Sequence, residues 1–219
     1  WVAEAYSYPV RQPEGQGLDK IVIFEDTNTD GKFETRKVFA EGLNLVSGFE
    51  VGFGGVWVGA APYLLFIADE NRDDKPDTEP QILLDGFGYQ DTHECLNSFM
   101  WGPDGWLYGC HGILKTSYVG KPGTPQNERV PINCGVWRFH PTRKIFEVVA
   151  HGTTNPWGIG FDEYGQIFVA NCVIKHLFHI IPGARYERMF GQDFNPYSFQ
   201  LIPSIAEHIH WAGGFWKTE

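Results

Sequence analysis

What this 219-residue chain lacks narrows its class first. It has no uninterrupted apolar run near the roughly 20 residues that cross a bilayer as a helix, and no basic-then-apolar leader, so no membrane span is expected within it. Lys and Arg total 17 against 27 Asp and Glu, a formal charge of −10, and the cations form no cluster. A surface that tracks a phosphate backbone needs such a cluster, which excludes nucleic acid as a partner. Cysteine is sparse. Cys95, Cys110, Cys134 and Cys172 form neither a Cys-x-x-Cys pair nor a Cys-x-x-Cys-His haem site. They read either as buried reduced thiols or as including one disulfide of an oxidising compartment, and their spacing selects no pairing.

No linker interrupts the even spread of aromatic and turn residues, so residues 1–219 read as one unit. What fills it is a repeat. Gly48 to Gly59, Ser98 to Gly109 and Gly158 to Val169 each read as a strand, a tight turn and a second strand, with turn glycines Gly55, Gly105 and Gly165 set 50 and then 60 residues apart. One four-stranded propeller blade fills that period, whereas a heptad or a short solenoid repeat does not. Two more strand-like runs follow each pair, as in Gly135 to Phe139 and Ile145 to Val149 around the turn Pro141 to Lys144. The expected fold is an all-β propeller with blades at about 1–42, 43–87, 88–150 (with a long insertion) and 151–191. Residues 192–219 form a connection toward a further blade. Trp1 to Glu4 matches Trp57 to Ala60, the second strand of its blade, and about four blades are fewer than a closed ring needs, so the chain reads as part of a longer protein.

Asp26-Thr27-Asn28-Thr29-Asp30-Gly31 carries oxygens at alternate positions of a tight loop, and Asp69 to Asp74 repeats the pattern without the glycine. Asp26, Asn28 and Asp30 could converge on calcium, or the loop could be a hairpin whose side chains cap their own backbone. Lys37 at the twelfth position rules out an EF-hand. Aligning the three turn glycines without gaps brings the segments before the innermost strands to one channel mouth. That gathers Asn44, Asp91, His93, Glu94, Asn97, Thr154 and Asn155 into a candidate site, unless His93 and Asn155 only satisfy loop backbone. His111 is expected near the same end. His208-x-His210 is either a metal pair or two ordinary loop histidines.

With these residues in view, Trp101-Gly102-Pro103-Asp104-Gly105-Trp106-Leu107-Tyr108 behind His93, and Asn155-Pro156-x-Gly158-Ile159-x-Phe161-Asp162, resemble the glucose/sorbosone dehydrogenase superfamily of six-bladed quinoprotein propellers. Asp91-Thr92-His93, Leu96 to Phe99, Gly120 to Pro125 and Phe194 to Tyr197 are similar to a narrower group of bacterial proteins described as membrane-bound dehydrogenases. The resemblance implies a quinoprotein-type dehydrogenase oxidising a sugar or other alcohol or aldehyde, with pyrroloquinoline quinone and calcium as cofactors. It further implies a periplasmic or cell-envelope location and, in longer members, a c-type haem domain. It places a general base eight residues before the Gly-Pro-Asp-Gly turn, which is Glu94 here with His93 one residue earlier. Asn155, Thr154 and Asn97 stand where cofactor contacts would be, Thr154 replacing the arginine that precedes Asn-Pro in the family. The alternative is a propeller without chemistry that binds a glycan or a partner domain.

Overall fold

The computed structural model describes residues 1–93, 95–172, 176–191, 194–195 and 200–206. Among them every regular element is a strand except one 3₁₀ turn at Gln126–Glu128, and no helix is long and apolar enough to cross a membrane. The first sheet holds β1 (Val2–Glu4), β2 (Asp19–Glu25) and β3 (Thr35–Leu43) in that order. The second holds β4 (Val46–Gly52), β5 (Gly55–Ala60), β6 (Tyr63–Ala68) and β7 (Gln81–Leu84), each antiparallel to the next. In the third, β8 (Asn97–Trp101), β9 (Leu107–His111), β12 (Gly135–Phe139) and β13 (Phe146–His151) follow the same order, and a hairpin of β10 (Ser117–Val119) and β11 (Val130–Ile132) is inserted between its middle strands. The fourth runs β14 (Pro156–Phe161), β15 (Ile167–Asn171), β16 (Leu177–Ile180).

Strand alternation explains why these sheets stack radially. Successive side chains of a strand leave opposite faces, so a sheet apolar on both faces must be covered twice. All of β5 is buried: Val56, Val58 and Ala60 join a core shared with Ile21, Ile23 and Phe39 of the first sheet, while Trp57 joins one shared with the third. In β9, Leu107 turns back to that second core, and Tyr108 and Cys110 turn forward to a third core with Ile159, Val169 and Phe178. Three cores thus lie between four sheets. The lead strands of three of them, β4, β8 and β14, sit side by side yet belong to separate sheets. The fold is all-β and propeller-like.

Trp137 shows how tightly the third sheet closes. It is fully buried, donates from Nε1 to the Cys110 carbonyl at 3.0 Å, and fills the space a side chain on Gly109 would need. Its ring also meets Phe99 edge-on at 5.2 Å. The inserted hairpin is tied down by Arg129, which pairs with the Asp85 carboxylate and donates to the carbonyls of Thr124, Asp85 and Tyr118.

Candidate functional site

The N-terminal ends of β4, β8 and β14 meet at a cleft of about 970 Å³. Each of these strands carries one extra residue there. Ser47 is skipped between Val46 and Gly48, Ser98 and Phe99 together face one partner residue, and so do Trp157 and Gly158. A bulge re-aims side chains and interrupts pairing at a sheet's rim. Backbone at the same level is held in the left-handed region at Leu45, Ser98 and Thr153, a conformation non-glycine residues adopt at a cost of about 1–3 kcal/mol. Three bulges at matching heights shape one opening.

From the loop before β8, Asp91 and His93 line this cleft. Asp91 Oδ1 accepts from the His93 backbone N–H at 3.1 Å and lies 3.2 Å from His93 Nδ1. With Nδ1–H donating to the carboxylate, the neutral ring keeps its lone pair on Nε2. The imidazole is 71% exposed, and the Tyr8 ring meets it edge-on at 5.5 Å. Asn155 and Trp157 also line the cleft, Trp157 being 53% exposed. Asn155 Oδ1 is buried without a hydrogen-bond partner, as is Thr154 Oγ1. No Lys or Arg lines the cleft among the described residues, and Asp91 is its sole carboxylate.

The other expected residues lie elsewhere. Asn97 is 1% exposed and both ends of its amide are engaged, Nδ2 to the Cys95 carbonyl and Oδ1 to the Ser98 hydroxyl. Thr154 is 2% exposed behind the cleft wall, where its carbonyl accepts from Cys134 Sγ at 3.1 Å. Asn44 pins the first loop through Gln12. His111 does not reach the opening. It is fully buried, its Nδ1 bonded to the Gly112 carbonyl at 2.8 Å and its Nε2 to the Ser117 hydroxyl at 2.6 Å. Burial pushes its pKa down to about 4, so the ring is neutral. Glu94, His208 and His210 lie outside the described residues.

Sequence reasoning missed Trp157 and Tyr8. A signal for Trp157 existed: in the gapless glycine alignment it falls level with Ser47, and a glycine follows each, Gly48 and Gly158. The four cysteines are free, with Cys95, Cys110 and Cys134 buried and Cys172 exposed at the cleft.

Well apart from this lining, carboxylate oxygens of Asp26, Asp30 and Glu34 come within 4.8 Å of one another. Asp26 accepts from the backbone N–H groups of Gly31 at 2.8 Å, Asp30 at 3.2 Å and Asn28 at 3.3 Å, while Asn28 and Asp30 accept from Asp30 and Lys32 at 2.9 Å. The Gly31 amide foremost holds the Asp26 carboxyl below its usual range. Thr27 does the same to Glu34. All the donors are hard oxygens, the class calcium prefers, and Glu34 is a donor the spacing argument did not include. In the second loop the pattern recurs at Asp69, Asn71 and Asp73, with Asp74 drawn into an ion pair to Lys37 at 2.7 Å.

Pyrroloquinoline quinone carries three carboxylates, so a pocket that holds it needs cations. The cleft offers none among the described residues, and Thr154, at the position of the family's arginine, is turned into the protein. The described residues do not fit that cofactor.

Over residues 1–204 the sequence matches the family described as "Domain of unknown function (DUF7133)". No curated protein matches it. Among solved structures, a candidate oxidoreductase (glucose dehydrogenase) from Thermus thermophilus is similar at 17% identity, with a TM-score of 0.48 over 92% of this chain. The chain spans 66% of that protein's length.

Proposed function

We infer the function of this chain, which belongs to the DUF7133 family, from its bulged cleft. We propose that this cleft is the reaction site of an oxidoreductase acting on a sugar or another alcohol, with His93 as the base and Asp91 as the residue that orients it. The observation that carries the reading is the Asp91–His93 pair, its imidazole exposed in a cleft that Tyr8, Trp157 and Asn155 also line.

Oxidising an alcohol removes a hydroxyl proton and a hydride from the adjoining carbon. A base working near neutral pH takes the proton best, and an imidazole has the right range. Donation from Nδ1 to Asp91 fixes the tautomer, leaves Nε2 to receive the proton, and stabilises the imidazolium that results. Trp157 and Tyr8 give the substrate a partly desolvated seat. A redox cofactor supplies the hydride acceptor when bound. The proposal extends to calcium at the Asp26 loop, a periplasmic or cell-envelope location and electron transfer onward to a c-type haem domain. The last two rest on the family resemblance alone.

A second reading, a glycan-binding or partner-binding propeller without chemistry, is favoured by the absence of Lys and Arg from the described lining and by the inward Thr154. Assaying the full-length protein with sugars and alcohols against artificial electron acceptors separates the two. Turnover that falls about 10²- to 10⁴-fold in His93→Ala supports the first reading. Turnover insensitive to His93 but lost in Glu94→Gln moves the base to Glu94, and none at all under any acceptor leaves the second.

A further inference from the structure

The cleft's charge has a bearing on what can enter it. Its described lining carries a carboxylate, an imidazole, hydroxyls, an amide and aromatic rings, with no guanidinium or ammonium. Asp91 is largely sheltered, its side chain 20% exposed, so water screens it only partly. An anionic ligand would meet that charge with no Lys or Arg of the described lining to offset it. A neutral hydroxyl-bearing ligand meets a different surface. Trp157, 53% exposed and lining the cleft, offers an indole ring on which the C–H face of a sugar can lie. Asn155 lines the same cleft, and its buried Oδ1 has no donor among the described residues, which costs about 1–3 kcal/mol; turning the amide toward a ligand hydroxyl gains the hydrogen bond that Oδ1 lacks where it lies.

We infer that the cleft selects uncharged, hydroxyl-bearing ligands and turns away carboxylated ones, the tricarboxylate quinone of the resembled enzymes included. Trp157 is the stacking floor, Asn155 the acceptor of a ligand hydroxyl, and Asp91 the source of the discrimination. This deepens the proposed function by naming the ligand class of the same site. It departs from the cofactor the family resemblance implies.

The test is binding, read without turnover. The full-length protein is titrated with a panel of neutral mono- and disaccharides, with the matched uronic acids, and with pyrroloquinoline quinone in the presence and absence of calcium, by calorimetry and ligand-observed NMR. At least one neutral sugar is expected to bind ten or more times tighter than its uronic acid. Trp157→Ala and Asn155→Ala should each weaken it about tenfold, equivalent to 1.4 kcal/mol. Asp91→Asn should shrink the preference, and so should added salt. Saturable quinone binding that Trp157→Ala weakens overturns the inference, as does a uronic acid binding as well as its neutral partner, or no neutral sugar binding at all. The outcomes separate from those of the catalytic reading: selective binding with no oxidation under any acceptor defeats the oxidoreductase and keeps the neutral-ligand cleft. His93→Ala losing turnover while the quinone binds does the reverse.

Discussion

The ring of Phe53, in the turn of one lead hairpin, lies over Gly105 in the turn of the next: a Cβ on Gly105 would stand 3.8 Å from its Cζ. Pro103 bears the same relation to Gly165 one sheet further on, with 3.3 Å to the ring Cγ. Both glycines are left-handed, at φ +77° and +79°. Gly105→Ala is expected to cost about 1–2 kcal/mol from backbone strain alone. Gly165→Ala should cost more, because Pro103 must also give way. Asparagine at either position should cost less than alanine, since it tolerates this conformation. Thermal unfolding of the four variants checks the ranking; equal losses for Ala and Asn would show that contact, not φ, dominates.

His111 predicts an acid-sensitive stability. Its pKa falls from 6.5 to about 4 on folding because burial disfavours the charged ring. Between those values the unfolded chain binds a proton that the folded one refuses, so this contribution is complete above pH 6.5 and is lost as pH drops toward 4. The whole effect is about 3 kcal/mol. Urea midpoints of wild type and His111→Gln, followed from about pH 7 to pH 4, should show a steeper acid loss in the wild type.

Asp26 and Glu34 titrate in the same sense for a different reason. Backbone amides hold both carboxyls low, so the stabilisation they give is present at neutral pH and disappears as acid protonates them below the ordinary carboxylate range. If calcium occupies the loop, calorimetry on metal-stripped protein should show a binding event that Asp30→Ala removes. A curve unchanged in the variant assigns these oxygens to backbone capping.

Cys172 should be the one thiol of the described residues that reacts with maleimide in the native protein. It is exposed, whereas burial raises the pKa of Cys95 to about 12 and that of Cys110 as well. Because Cys172 lines the cleft, a bound sugar should slow its labelling, by a factor that grows with occupancy. Mass mapping of the labelled peptides reads both effects at once.

Arg129→Ala should loosen the inserted hairpin by about 2 kcal/mol, since it strands the Asp85 carboxylate and three carbonyls together. Limited proteolysis is expected to cut first between Lys115 and Val130. Lysine should rescue little, because one ammonium cannot span the same set of acceptors.

The fold was legible because the turn glycines are a local requirement: wherever a lead hairpin folds back, the chain needs left-handed backbone, and Gly105 and Gly165 announce it. The alternation of Val56, Trp57 and Val58 likewise shows a strand covered on both faces. The residues before the lead strands were harder to read. Whether Asn97 faces the cleft or the interior depends on a bulge one residue further on, and a bulge is a property of two paired strands rather than of one segment. His111 carried no mark of its fate either, since the hydroxyl and carbonyl that satisfy it come from the inserted hairpin and from Gly112. Trp157 is exposed by a bulge of the same kind, where it and Gly158 face one residue of β15.

The three bulges also set off the first residue of each lead strand, Val46, Asn97 and Pro156, from the strand below it. Below its bulge a strand keeps the register that aims apolar side chains into the inter-sheet cores; above it, the extra residue resets which face each side chain leaves from. The bulged positions Ser47, Ser98 and Trp157 can therefore change character without shifting the packing beneath them. Selection could rewrite what this opening recognises residue by residue, with the scaffold insulated from the edits.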